Sequence, residues 1–143
     1  MNDISIVALF CTDIREEKGG TRTIVGLFPD NVNVLQMPGA LPQMCIYVRM
    51  HVRPDFEPRH IVTRVVMPDG TELDRNEMQP DLIEIARRNA NNSGTPYAGL
   101  VATFVVAPMP VNAPGRMQVL VTVDDKEYVA GAINFQLAPP KAT

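Results

Sequence analysis

The sequence predicts an all-β fold: an antiparallel two-sheet β-sandwich, immunoglobulin-like or C2-like, of about eight or nine strands with one short helix near residues 80–92. Three observations carry this. Short runs rich in β-branched residues recur along the whole chain, the turns between them are rich in Gly and Pro, and no alternation of strand and helix appears. The thirteen prolines fall almost entirely between the runs, where a missing N–H costs nothing. A small closed barrel is the alternative architecture. The length of 143 residues sets one domain over residues 1–138, with 139–143 as a tail.

The opening stretch, residues 4–28, organises the rest. An apolar run over 4–11 leads into the charged patch Asp13, Arg15, Glu16 and Glu17. A Lys18-Gly19-Gly20-Thr21 loop follows, then a second apolar run over 23–28, which together read as a β-hairpin. The first run is apolar at odd and even positions, so it is expected to be covered on both faces. A turn at Pro29-Asp30-Asn31 leads to a short segment over 32–35 and a loop over 37–42.

The clearest strand follows. Met44, Ile46, Val48, Met50 and Val52 share one face, while Gln43, Cys45, Tyr47, Arg49, His51 and Arg53 share the other. Period-2 alternation of this length means one core face and one polar face. A strand over 60–67 turns at Pro68-Asp69-Gly70-Thr71 into Glu72-Leu73, a strong hairpin signal. Leu82, Ile83, Ile85, Ala86 and Ala90 make an apolar stripe near helical spacing; Pro80 suits its first turn, Arg87 and Arg88 its later turns and Gly94 its stop. Residues 98–107 are apolar on both faces and predict a central strand. A loop over 108–115, a strand over 117–123, a turn at 124–126 and a last strand over 129–137 complete the chain, with Val129, Gly131, Ile133, Phe135 and Leu137 expected on one face.

Composition narrows function. Apolar residues make up 45% and charged residues 20%, the balance of a globular chain. A net charge of -3, 6% aromatics and no Trp disfavour nucleic acid and anionic membranes as partners. The start, Met1-Asn2-Asp3, lacks the basic region of a signal peptide and no stretch is apolar enough for a membrane helix, so the expected location is the cytoplasm. In a reducing compartment Cys11 and Cys45 are expected as buried thiols rather than a bridge.

Catalytic groups are sparse. The serines, Ser5 and Ser93, stand outside any nucleophile turn, and Cys45 and His51 are roughly 20 Å apart along one strand. Two Cys and two His at wide spacing match no zinc pattern. Lys18-Gly19-Gly20-Thr21 lacks the spacing of a phosphate loop. The expectation is a non-enzymatic protein without cofactor or metal. Carboxylates in two turns (Asp69, Glu72 and Asp74; Asp124, Asp125 and Glu127) keep a calcium- or small-ligand-binding sandwich as an alternative. Two surfaces are candidates for protein contact. One is the polar strand face with Tyr47, Arg49, His51 and Arg53, extended by Arg64; the other is the hairpin-mouth patch Asp13, Arg15, Glu16 and Glu17.

The segment Cys11-Thr12-Asp13-Ile14-Arg15, followed by Glu16-Glu17, Gly20 and Ile24-Val25-Gly26-Leu27-Phe28, resembles the N-terminal signature of a family of small uncharacterised proteins of bacteria and their phages. There an apolar strand runs into Cys-Asp-Asp-Ile-Arg and a Gly-Lys turn. This chain departs from it with Thr12 for the first Asp and Thr21-Arg22 where the turn lysine is expected. The resemblance covers the first 30 residues or so, implies a β-sandwich and brings no activity. The leading expectation is a protein–protein interaction or assembly module acting through a protein partner or self-association. A phage virion accessory or structural protein is the specific version that the resemblance suggests, with the virion as the alternative location.

Overall fold

A computed structural model describes residues 3–139, so most of the expected tail lies outside the described residues. Among the described residues there are eleven strands and one helix. The strands are β1 (Ile4–Glu16), β2 (Arg22–Leu27), β3 (Asn31–Val34), β4 (Gly39–Leu41), β5 (Met44–Val52), β6 (Ile61–Val66), β7 (Glu72–Glu77), β8 (Ala98–Val106), β9 (Met109–Val111), β10 (Gly115–Val123) and β11 (Lys126–Leu137). The helix α1 (Pro80–Ser93) lies between β7 and β8.

The strands form a four-stranded sheet in the order β2-β1-β5-β8, a five-stranded sheet in the order β3-β11-β10-β6-β7, and a two-stranded ribbon β4-β9. The fold is therefore all-β with one helix. One core draws on both large sheets: Ile46, Val48 and Met50 from β5 and Phe104 from β8 meet Met117, Val119 and Val121 from β10 and Phe135 from β11. The predicted inward face of β5 is fully buried along its length.

Several expectations are corrected. The count rises from eight or nine strands to eleven because β4 and β9, each expected as loop, pair with each other; three residues are too few to show a period, and their partner lies far along the chain. The sheets are not wholly antiparallel, since β3 pairs in parallel with β11. The strand expected at the centre, β8, is an edge strand. The first run is not covered on both faces, for Val7 is 48% exposed on the outer side. In β11 the pairing with β10 shifts between Val119 and Leu120, inserting Ala130 as an extra residue. That bulge exchanges the two faces of the strand, so Val129 points out while Ala130, Ile133 and Phe135 are buried. Leu137, also expected on the inner face, is exposed at the strand's end.

The hairpin signal at Asp69-Gly70 holds: the Met67 N–H donates to the Thr71 carbonyl and Gly70 takes a φ of +89°. The helix follows its predicted bounds closely. It starts on Pro80 and stops at Gly94, which sits in the left-handed region as a helix C-terminus favours. Ile83 and Ala90 on its inner face join the core. Among the described residues no helix is long and apolar enough to cross a membrane.

Candidate functional site

The outer face of the β2-β1-β5-β8 sheet is built by three strands in fixed register. Tyr47 on β5 stands between Leu9 on β1 and Thr103 on β8, Arg49 between Val7 and Val101, and His51 between Ser5 and Gly99. The alternation that buries Met44 to Val52 turns these side chains outward. The sequence foresaw Tyr47, Arg49 and His51 together, and the sheet brings them together. It did not foresee the apolar neighbours Val7, Leu9, Val101 and Val105, of which Val105 is 64% exposed. Nothing in the composition of β1 and β8 marks them as one-sided, because both runs carry apolar residues at odd and even positions alike.

Arg53 lies just beyond β5 and pairs with Asp55 at 2.8 Å and Asp3 at 3.6 Å, so it serves to close the strand's end. Arg64 does not extend the patch. It belongs to β6 in the other large sheet, where it pairs with Glu127 at 3.2 Å and Glu72 at 3.9 Å. Sequence neighbourhood suggested β5 and β6 would be adjacent, but the chain crosses from one sheet to the other between them.

The hairpin-mouth patch is satisfied within itself. Arg15 pairs with Asp13 at 3.5 Å, Arg22 with Glu16 at 2.9 Å, and the Thr23 hydroxyl donates to Glu17 at 2.9 Å. The arm carrying these residues bends back over the sheet. Arg22 lies opposite Glu16, seven residues past the Leu9 that faces Tyr47, a span of roughly 23 Å along a straight strand. Its guanidinium is nevertheless 5.9 Å from the centre of the Tyr47 ring. The bend lies at Thr12 and Gly26. The Thr12 hydroxyl donates to the Val25 carbonyl at 2.8 Å, and Gly26 takes a φ of +69°. It carries the chain across Cys45, whose thiol meets the Thr12 carbonyl at 3.8 Å and accepts from the Gln43 amide at 3.6 Å.

Cys11 and Cys45 stand directly opposite each other and are both free and buried. Burial pushes both thiols above the ordinary value of 9.0, so they are held protonated and poorly nucleophilic. The His51 ring lies against Tyr97, with ring centres 5.9 Å apart and planes tilted by 32°. Most of the turn carboxylates are engaged as well. Asp69 accepts from the backbone and hydroxyl of Thr71, Glu72 pairs with Arg75, and Asp124 accepts from the N–H groups of Arg59 and His60 at 2.8 and 3.0 Å. Among the described residues no three His, Cys, Asp or Glu side chains gather as a metal site.

Beside the open edge of β8 lies a groove of about 460 Å³. Ala98, Gly99 and Val101 form one wall, Leu82, Ile85 and Asn89 of α1 the other, and Tyr97 sits at its mouth. Leu82, Ile85 and Tyr97 are all about half exposed. The sequence placed Leu82 and Ile85 in an apolar helical stripe; it gave no sign that they would face an unfilled groove rather than the core, because that depends on where β8 ends its sheet. Tyr97 and Gly99 were missed for the same reason.

No curated protein matches the sequence. A family model does, over residues 6–136, which span both large sheets, the ribbon and the helix. The chain belongs to this family, a family of unknown function (DUF6941).

Proposed function

We propose that the protein is a non-catalytic β-sandwich that works by protein–protein contact, using the outer face and the β8 edge of the β2-β1-β5-β8 sheet. One observation carries the reading: exposed apolar and aromatic side chains, Val7, Tyr97 and Val105, share a surface with Tyr47 and Arg49 beside a strand edge that pairs with nothing among the described residues. Isolated exposed apolar residues are ordinary, but a contiguous patch of them with Tyr and Arg is the composition of an interface core. The state of the thiols agrees with this reading, since both are buried and their pKa values are raised.

The test is site-specific photo-cross-linking in cells that express the full chain. The photoreactive residue is placed at Val7 or Val105 and, as control, at Gln118 on β10 of the other sheet. Cross-links to protein from Val7 and Val105, well above those from Gln118, are the expected outcome. Equal labelling from all three positions would overturn the assignment of this face.

A further inference from the structure

We propose that the occupant of this edge is a second copy of the chain, and that two β8 strands pair antiparallel about a two-fold axis through Ala102 to form a dimer. The inference rests on the protein-contact reading above and names its partner.

The four sheet edges differ in how well they resist strand addition. β7 carries Glu72, Asp74, Arg75 and Glu77; β2 carries Arg22 and is kinked at Gly26; β3 has four residues. β8 has nine residues, none of them charged and none proline. Charges, kinks, shortness and a covering helix are how edges are protected; β8 has none of the first three, and α1 lies beside only its first half, residues 98–101, with the groove between them.

Self-pairing also fits in register. Full overlap of the nine residues with an antiparallel copy has one solution, centred on Ala102. It sets Val101 against Thr103 and Gly99 against Val105 on the outer face. Directly opposed residues have Cβ atoms about 5 Å apart, so the pairs must fit. They do: Val105 is 64% exposed, and the place a Gly99 side chain would take has nothing within 4 Å. Each copy thus offers a protruding valine and a vacancy, and the two-fold axis delivers each valine to the other's vacancy. The groove beside Gly99, walled by Leu82 and Ile85 with Tyr97 at its mouth, gives the partner's strand an apolar bed. No like charges meet, and the contact is closed by its symmetry.

The area sets the strength. A strand of nine residues presents an edge of about 30 Å by about 10 Å, or roughly 300 Å² per copy. Side chains of the groove add on the order of 200 Å² per copy, for a total near 1,000 Å², the lower limit for a specific interface. The dimer should be reversible and dependent on concentration.

The experiment is sedimentation and light scattering of the purified full chain across a concentration series, with three variants. Gly99→Val fills the vacancy with a side chain whose Cβ has nothing within 4 Å in the single copy and should weaken association at least tenfold. Val105→Gly removes the protrusion and should weaken it too. The double variant exchanges the two roles across the axis and should recover most of the loss. Circular dichroism establishes that each variant is folded. A wild-type chain that stays monomeric at the highest concentration, a dimer that survives Gly99→Val, or a double variant no better than Gly99→Val alone would each overturn the proposal. A monomeric chain that still cross-links to a different protein from Val105 would overturn the dimer and leave the contact reading standing, whereas equal cross-linking at Gln118 removes that reading itself.

Discussion

Gly26 shows how one residue decides the shape of the candidate surface. Its φ of +69° belongs to the left-handed region, and a Cβ there would collide with the Thr12 hydroxyl and lie 3.1 Å from its methyl group. The bend that brings Arg22 over Tyr47 needs both the glycine's freedom and its lack of a side chain. Gly26→Val should cost about 2–3 kcal/mol through backbone strain and overpacking, read as a lower urea midpoint with an unchanged slope. Gly19→Ala is the comparison: its φ is +91° but nothing surrounds it, so it should cost about 1 kcal/mol. The cysteines give a pH prediction at the same scale. Burial raises the pKa of Cys11 and Cys45 in the folded chain, so above the ordinary value of 9.0 the unfolded state loses thiol protons that the folded state keeps. Stability is therefore full below pH 9 and falls as pH rises through the folded-state values. Thermal melts from pH 7.5 to 10.5 should show this fall (the range is about the ordinary thiol pKa), and the Cys11→Ala/Cys45→Ala variant should flatten it.

Among the elements, those with an uninterrupted period were legible and those defined by distant partners were not. Ten residues of alternation gave β5 and its buried face, and Pro80, the apolar stripe and Gly94 gave α1 almost to the residue. The ribbon β4-β9 was invisible because Pro38 and Pro42 bracket β4, Pro108 precedes β9 and Pro110 lies within it, and the pairing spans the chain. Tyr47, Arg49 and His51 were found because one strand carries them; the groove was not, because β8, α1 and Tyr97 form it together. Arg87 was legible only as a helix-end cation. It is a buried latch instead, donating to the Pro54 carbonyl at 2.8 Å, Glu57 at 3.2 Å and Glu84 at 2.9 Å, with its Nε lacking a partner. Arg87→Met keeps the packed stem and removes these bonds. The partner carboxylates lie largely in water, so the loss should be about 1–2 kcal/mol. Hydrogen exchange should quicken in α1 and hardly change in β10, because the latch ties the helix to the β5–β6 connection; uniform acceleration through the molecule would contradict that local role.

At the scale of the whole molecule, the two large sheets are held together differently on their two sides. On one side α1 leads from the edge strand β7 of one sheet to the edge strand β8 of the other, and its Ile83 and Ala90 fill the space between. On the other side no helix intervenes among the described residues, and β1 lies directly on β11. The approach there is so close that a Cβ on Gly131 would sit 3.0 Å from the Ala8 Cβ, 3.2 Å from the Ala8 carbonyl and 3.3 Å from the Phe10 ring. Two of the three neighbours, the Ala8 Cβ and carbonyl, are fixed to the backbone of β1, so turning the Phe10 ring alone cannot make room. The sequence could not reveal this, because Gly131 and Ala8 read separately as small residues in two apolar runs, and only the facing of the sheets joins them. Gly131→Val must push β1 and β11 apart and should destabilise the fold by about 2–3 kcal/mol, the cost of overpacking a site that cannot relax. The β2-β1 arm and the surface around Tyr47 are attached to β1, so the same substitution should also disturb the Arg22–Tyr47 contact and weaken self-association. Val129→Ala, two residues away but pointing out of the bulge, should leave stability within about 0.5 kcal/mol. If denaturation showed the two variants to be alike, the close contact between the sheets at Gly131 would not be what holds this side of the molecule together.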